Sequence, residues 1–472
     1  MLQLSVKIDS SSKTPYYIQL YEYIKQEISC GAIEKNTKLP SIRQLANYLN
    51  MSRTTIETTY HQLCMEGYIL SAPKVGYYVS PIESNSFPYN KKTCGHPLPS
   101  EKNSETKAVE YDFMTEDIDQ DAFSFLVWKR YINKALREST RFLSYGSFQG
   151  EPELRKEIAK YLHQSRGVVC TPEQIIVGAG VQSLLNILAA ILKPSYPTIA
   201  FEDPGFKKAQ VIFKDHDYKV TPIQLGEDGI NIKQLSESQA KIVYVSPSHQ
   251  FPMGTTMPIN SRIQLLNWAH LNESLIIEDD YDSELRYFGR PIPSLQGLNN
   301  GERVIYMGSF SKILLPSLRI SYMILPEDLF AKHLFQLGGY SQTSSKIEQI
   351  ALSLFMKEGL FEKHIRKLRK IYAKKNQILT EAINRIMGDR VEIAGRETGL
   401  HVLLKIKSAY HSDEIAKLAE KVGVKVIPLS HYYMKTTQTQ YPLVLLSYGG
   451  IPREHIEPAI SLLQEVWFEK EA

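Results

Sequence analysis

Two unlike folds in one chain are what this sequence predicts: a small, mostly helical module at the N-terminus, then a large α/β module built on a mostly parallel sheet. Three observations carry that reading. Residues 12–80 hold amphipathic helical stretches followed by two short strand-like runs around Pro73, Lys74 and Gly76. Residues 81–108, beginning PIESNSFPYNKK, lack apolar periodicity and are rich in Pro, Ser, Asn and Lys, the composition of a flexible linker. From residue 109 onward, short apolar runs ending in Gly, Pro or polar residues alternate with helical stretches. The length of 472 residues also exceeds what one hydrophobic core ordinarily serves.

In the first module, PYYIQLYEYIKQEISC carries Ile18, Tyr21, Ile24 and Ile28 at helical spacing, with Pro15 placed as the first helical residue. Ser41 is an N-cap for a short helix through Ile42, Leu45, Ala46 and Leu49. Asn50 and Met51 form a turn. Ser52 then caps a second helix that buries Ile56, Tyr60 and Leu63 and stops at Gly67. YILSAPKVGYYVS reads as a hairpin. Two short helices joined by a tight turn make a helix-turn-helix, whose second helix can lie in the major groove of double-stranded DNA. Its first turn then offers Ser52, Arg53, Thr54 and Thr55. Arg53 has the fork of donors that a guanine edge accepts, and the threonines suit bases or phosphates. Arg43 is placed for a phosphate, and Lys74 with the backbone at Gly76 for phosphate or minor groove. The same pattern also occurs in helical protein-binding domains, so alone it leaves that alternative open.

In the second module the runs QIIVGAG, TIAFEDP, KIVYVSP, LIIEDDY and VIYMGSF are strands, and VQSLLNILAAIL is a covering helix. Ligands of such sheets sit at the C-terminal strand ends. There YMGSFSKILLPSLR puts Lys312 in a Gly/Ser-rich turn, with Ser309 three residues before it and Arg319 seven after. Pyridoxal phosphate needs a lysine for a Schiff base with its aldehyde and a carboxylate for its ring nitrogen. Lys312 supplies the first and Asp279 the second, while Tyr281 is placed to reach the ring oxygen. The phosphate needs a helix N-terminus and a cation. Backbone N–H groups at Gly180, Val181 and Gln182 meet the first need, and Ser309, Ser311 and Arg319 complete the cradle. Phe206 is a candidate to lie over the ring face. Ser309-x-x-Lys312 alone equally fits a serine acylase, with Ser309 as nucleophile. The ordered set across five strand ends favours the coenzyme.

Other classes are disfavoured. The net charge of +4 is weak and by itself predicts no nucleic-acid partner. Cys30, Cys64, Cys94 and Cys170 are scattered without a CxxC, which argues against a disulfide frame or a metal site and for a reducing compartment. No run of eighteen apolar residues and no signal-peptide pattern is present, so no membrane association and a cytoplasmic location are expected.

LPSIRQLANYLNMSRTTIETTYHQLCMEGYI followed by KVGYYV resembles the winged helix-turn-helix of the GntR-type bacterial regulators over nearly all of residues 12–80. The wing departs from the family's common Gly-x-Gly, with Lys74-Val75-Gly76. Residues from about 110 to 472 resemble the fold-type I aminotransferases, in the set above and in YGSFQGEPELRKEIAKYL. Fused in this order, the two modules resemble the MocR subfamily of GntR-type regulators. The resemblance implies a homodimer presenting two DNA readers to paired half-sites. It also implies Lys312 as the Schiff-base lysine, Asp279 as the ring-nitrogen partner and Arg319 as a phosphate ligand. Two departures bear on ligand choice. Phe251-Pro252-Met253-Gly254 stands where aminotransferases have Asn-Pro-x-Gly, and Gly450 stands where they have a carboxylate-binding arginine. Lys208 replaces a second carboxylate arginine found in the subfamily; Arg396 and Arg453 are candidate substitutes. The function implied is a transcription regulator that senses an amino compound by exchange at Lys312. The alternatives are a regulator of vitamin B6 synthesis with pyridoxal phosphate itself as effector, an active aminotransferase with a DNA-binding module, and a DNA-binding protein whose large domain is only a scaffold.

Overall fold

The structure is a computed structural model that describes Asp9, Ser12 and residues 14–73, 75–81, 110–115, 117–137, 139–287, 289, 292–435 and 440–468. Lys74, Cys94 and the expected linker from residue 82 on lie outside the described residues. The chain divides into two compact units, Met1–Lys102 and Asn103–Ala472.

The first unit is α1 (Tyr16–Ser29), α2 (Ile42–Leu49), α3 (Arg53–Met65) and a hairpin of β1 (Ile69–Ala72) with β2 (Gly76–Val79). Pro15 does not open α1 as expected. It is the N-cap: its ψ of 144° is extended, and its carbonyl accepts from the N–H groups of Ile18 and Gln19. The buried stripe of α1 is Leu20, Tyr21, Ile24 and Ile28, so Leu20 takes the inward place expected of Ile18. Ser41 caps α2 reciprocally with Gln44, and Asn50 turns the chain in the left-handed region at φ 52°. α3 buries Ile56, Tyr60 and Leu63, and the Tyr60 hydroxyl donates to the Pro40 carbonyl at 2.9 Å. The chain before α2 flanks the hairpin, with Leu39 N–H donating to Tyr77 and Val79 N–H to Thr37.

The second unit begins with β3 (Tyr111–Asp112), α4 (Phe125–Leu136) and α5 (Pro152–Arg166). The main sheet follows, its strands separated by helices: β4 (Ile175–Gly178), α6 (Val181–Leu192), β5 (Thr198–Asp203), α7 (Lys207–Asp215), β6 (Lys219–Gly226), β7 (Gly229–Ile230), α8 (Ile232–Glu237), β8 (Ile242–Val245), α9 (Ile259–Leu271), β9 (Leu275–Asp280), α10 (Leu295–Leu298), β10 (Val304–Ser309) and β11 (Ser321–Ile324). The strand order is β4-β11-β10-β9-β8-β5-β6-β7. The run β10-β9-β8-β5-β6 is parallel, while β11 is antiparallel to both its neighbours. α6 and α7 pack on one face against Phe201, Ile277 and Met307; α8, α9 and α10 pack on the other against Val243, Ile276 and Val304. Both faces are thus covered, which explains why these strands read as continuous apolar runs.

α11 (Glu327–Leu337), α12 (Lys346–Lys357) and the long α13 (Leu360–Met387) lead to a second sheet that no sequence signal had announced. It comprises β12 (Val391–Ala394), β13 (His401–Ile406), β15 (Ile427–Pro428) and β16 (Leu443–Ser447), ordered β12-β13-β16-β15. α14 (Ser412–Lys421), β14 (Val424–Lys425), which pairs with β3, and α15 (Arg453–Phe468) complete it. Val402, Leu404, Val444 and Leu446 face a core shared with α13, α14 and α15. The other face carries Leu403, Ile427 and Leu445, which meet Phe251 from the main sheet's loops. Among the described residues no helix is long and apolar enough to cross a membrane.

Candidate functional site

The loops after β4, β5, β8, β9 and β10 surround one cavity. Gly180, Val181, Gln182, Phe206, Asp279, Tyr281, Ser309, Ser311, Lys312 and Arg319 all line it, joined by Lys208, Ser246, Phe251 and Pro316. The two-residue period of a strand explains the selection on β9, where every residue is buried. Asp279 points into the cavity, while Glu278 and Asp280 point to the opposite face. There Glu278 accepts from the N–H groups of Leu295 and Gln296 at 2.9 and 3.0 Å, and Asp280 pairs with Arg166 at 2.7 Å and with the Tyr306 hydroxyl. Three adjacent acids therefore serve two unrelated purposes.

The atoms that the cavity leaves unsatisfied match what pyridoxal phosphate requires. Asp279 Oδ2 accepts from the Tyr244 hydroxyl, but Oδ1 is buried with no hydrogen-bond partner. Burial, moderated by the Tyr244 bond, lifts this carboxyl to about 6. A buried anionic oxygen of this kind suits a protonated ring nitrogen. At the other end the Arg319 guanidinium lies against Gly180, whose φ of +87° and bare Cα are both required: a Cβ there would collide with it. Ser309 Oγ accepts from Ser311 N–H at 3.2 Å and from Ser321 Oγ at 2.9 Å. Lys312 Nζ lies 4.6 Å from the Tyr281 ring centroid and 5.9 Å from that of Phe251. These residues fit the group.

Some expected details differ. The Gly180 N–H is turned inward, donating to the Gly178 carbonyl at 2.9 Å, so α6 offers its N–H groups from Val181 and Gln182 instead. The Tyr281 hydroxyl stands 3.0 Å from Nδ1 of His249, which also faces Asp282 at 2.9 Å. Phe206 lines the cavity with its ring stacked toward Tyr244, centroids 6.4 Å apart. Gly450 abuts Asp117, and neither Arg396 nor Arg453 lines the cavity, whereas exposed Lys208 does. Sequence reasoning missed Tyr244, His249 and Asp282. The alternation in KIVYVSP, one polar ring among aliphatics, was the available signal for the first.

On the first unit, Arg53 and Thr54 are exposed on the opening turn of α3, and the same outward face continues through Glu57, Thr58 and His61. Ser52 is exposed and Thr55 half-buried, and the two are tied to each other. Ser52 Oγ accepts from Thr55 N–H at 3.1 Å, and the two hydroxyls are 2.8 Å apart. Arg43 is exposed at the start of α2. Gly76, at φ +124°, opens β2 beside Lys38.

Residues 16–79 match the gntR family of bacterial regulatory proteins, and residues 113–442 match the class I and II aminotransferases. The HTH-type transcriptional regulator YdeL of Bacillus subtilis is 44% identical over 454 residues, covering 96% of this chain and 97% of its own. The probable rhizopine catabolism regulatory protein MocR of Rhizobium meliloti is 32% identical, covering 98% and 96%. The chain belongs to the MocR-type transcriptional regulators. Within this MocR-type chain the large unit resembles the multiple substrate aminotransferase of Thermococcus profundus, at TM-score 0.70 and 26% identity, over 78% of this chain and 93% of that one. The aminotransferases that share its fold depend on pyridoxal phosphate. The GntR-type unit supplies the DNA-binding half.

Proposed function

We propose that this MocR-type regulator holds pyridoxal phosphate at Lys312 and responds there to a primary amine, converting occupancy into a change in operator affinity. The observation that carries the reading is the convergence of all ten expected residues on one cavity, with the buried, partnerless Oδ1 of Asp279 at its floor. Pyridoxal phosphate, when bound, supplies an aldehyde that condenses with primary amines. Asp279 holds the ring-nitrogen proton, Arg319 with Ser309, Ser311 and the start of α6 binds the phosphate, and Phe206 and Phe251 exclude water. Lys312 is the amine that an effector must displace, and its release biases the large unit between two arrangements. Such coupling is worth about 1–3 kcal/mol in most regulators. We assign residues 12–80 to DNA reading, with Arg43, Arg53, Thr54 and the wing as contacts, 81–108 to the linker, and 109–472 to sensing and homodimerisation. A DNA-bound role places the protein in the cytoplasm.

One observation favours a second reading, in which the coenzyme is itself the effector: among the described residues, no arginine lines the cavity beyond Arg319. Borohydride reduction followed by mass spectrometry decides the common core of both. We expect the peptide containing Lys312 to carry the coenzyme and Lys312→Ala to be colourless; an unlabelled peptide ends both readings. Titrating amines and B6 vitamers against operator binding then separates them.

A further inference from the structure

Beside Tyr281, in the loops after β8 and β9, lies a buried pair. His249 and Asp282 are 2% and 1% exposed, and Nδ1 of the imidazole stands 2.9 Å from both carboxylate oxygens. The Tyr281 hydroxyl is 3.0 Å from the same nitrogen. Nε2 is buried and has no hydrogen-bond partner among the described residues. The tautomer follows from these contacts. A carboxylate only accepts, and imidazole is the more basic of the two by roughly two to three pH units, so the proton between them sits on Nδ1. The opposite tautomer would set lone pairs against each other and bury an unanswered N–H at Nε2. With Nδ1 donating, the Tyr281 oxygen is the acceptor in its contact with the ring, and the phenol's own O–H is directed away from His249. The pair is also fixed from the second sheet. Gly399, at φ +78° just before β13, lies against it, and a Cβ there would collide with the His249 ring and the Asp282 carboxylate. The Gly399 carbonyl accepts from the Tyr287 and Tyr448 hydroxyls, and His401 of β13 stacks on His249 with ring centroids 4.8 Å apart. His401 and Lys312 border the same small compartment. The other titratable groups around Tyr281 are Lys312, whose Nζ lies 4.6 Å from the ring centroid, Asp279 in the same cavity, and Tyr432 and Tyr433, packed in the same cluster.

We infer that His249, oriented by Asp282, is a positioning residue for Tyr281: by donating to the phenol oxygen it aims the Tyr281 O–H at the coenzyme's ring oxygen and makes it a stronger donor. The inference rests on the coenzyme site proposed above and adds to it a residue that acts through Tyr281 rather than on the coenzyme. A hydroxyl that accepts one hydrogen bond donates the next more strongly. A donor on the ring oxygen favours its ionised form. His249 therefore lowers the pH at which the coenzyme held at Lys312 loses its proton. The neighbouring Phe251 ring, 6.0 Å from that of Tyr281, has no donor to share this task.

The test uses the full-length, coenzyme-loaded protein and reads the apparent pKa of the coenzyme's absorbance with no effector present. His249→Leu and His249→Asn are matched in size, but only asparagine keeps an N–H near the place of Nδ1. His249→Leu is expected to raise the apparent pKa by about one pH unit, the size of one lost hydrogen bond, and His249→Asn to raise it by less than half as much. Tyr281→Phe should raise it at least as far as His249→Leu. Adding His249→Leu to Tyr281→Phe should raise it no further, because His249 acts through the phenol. An unchanged pKa in folded His249→Leu, equal shifts in the Leu and Asn variants, or a further shift in the double variant each overturns the inference. Histidine-selective nitrogen NMR of the wild-type protein decides even if a variant fails to fold: Nδ1 of His249 must carry a proton, and a bare Nδ1 overturns the inference. Borohydride labelling of wild-type Lys312 checks the underlying reading separately. An unlabelled lysine ends that reading, whereas a labelled one with no effect of His249 condemns this inference alone.

Discussion

The outward face of α3 and the cavity at the strand ends present polar residues under opposite conditions. Arg53 and Thr54 stand in water, where a charged side chain costs the fold almost nothing and can be exchanged freely. Asp279 in the cavity is 6% exposed and Arg166, beside Asp280 on the opposite face of β9, 4%, and each is tolerable only because a partner answers it. The difference separates two kinds of specificity. On α3, a substitution should change what is bound and leave stability alone. Around the cavity, stability and ligand binding share the same atoms, so one cannot be altered without the other.

The strongest challenge to that division is Arg166→Met. The guanidinium bonds Asp280 and Ser248, and Glu278 and Glu284 lie close enough to feel its charge. Removing it leaves buried carboxylates uncompensated, which typically costs about 3–5 kcal/mol. Urea unfolding of the large unit should show a loss of that size, with coenzyme affinity falling alongside. A loss below about 1 kcal/mol, within the range of exposed pairs, would mean the network is solvated and the contrast with α3 is false.

Asp279 sharpens the contrast through pH. Its carboxyl is raised from 3.8 to about 6, chiefly by burial. Between those values the unfolded chain has already lost the proton that the folded chain retains. The coenzyme-free protein therefore loses stability from this group as pH rises, the loss being complete above about 6 and worth about 1–3 kcal/mol. A cationic ring nitrogen against Oδ1 would reverse that penalty. The stabilisation on adding coenzyme should thus be larger at pH 7.5 than at pH 5, by about 1 kcal/mol, since part of the loss lies below pH 5. Glu202 and Glu278, lifted to about 7 by burial, move in the same direction but do not line the cavity, and their effects cancel in the difference. Asp279→Asn should flatten the dependence. A coenzyme effect equal at both pH values would remove Asp279 from its role.

What the sequence revealed follows the same line between local and distant causes. Lys312, Arg319, Asp279 and the start of α6 were legible because strand ends and helix starts leave local marks: an apolar run, then Gly, Ser or a charge. The partners that make Asp279 and Asp280 tolerable were not. Arg166 is 114 residues from Asp280 and sits in an unremarkable helix end, RGVV, where it reads as a C-terminal basic residue. His401 comes from a second sheet whose strands are short and interrupted, so neither the sheet nor the ring's approach to Lys312 left a periodic trace. Ser52 and Thr55 show the converse. Their identity suggested contacts with DNA, yet the cap geometry joins their hydroxyls to each other, a choice that depends on rotamers rather than on residue type.

Arg53→Ala carries the smallest stability effect and probes the other half of the contrast. Arg53 is the first residue of α3, exposed, and not among the residues packed on Ile56 and Tyr60. Its removal should shift unfolding by no more than about 0.5 kcal/mol. Operator binding should weaken by about 1–3 kcal/mol, with the penalty concentrated at one base-pair position, because a guanidinium bidentate to guanine reads a single edge. Anisotropy titrations against an operator and its single-base variants measure both quantities. If affinity instead falls evenly across all sequences and the salt dependence drops by about one counterion, Arg53 is a phosphate contact. The base-reading role would then pass along the same exposed face to Thr54, Thr58 or His61, the residues that stay in water when Ser52 and Thr55 close the cap.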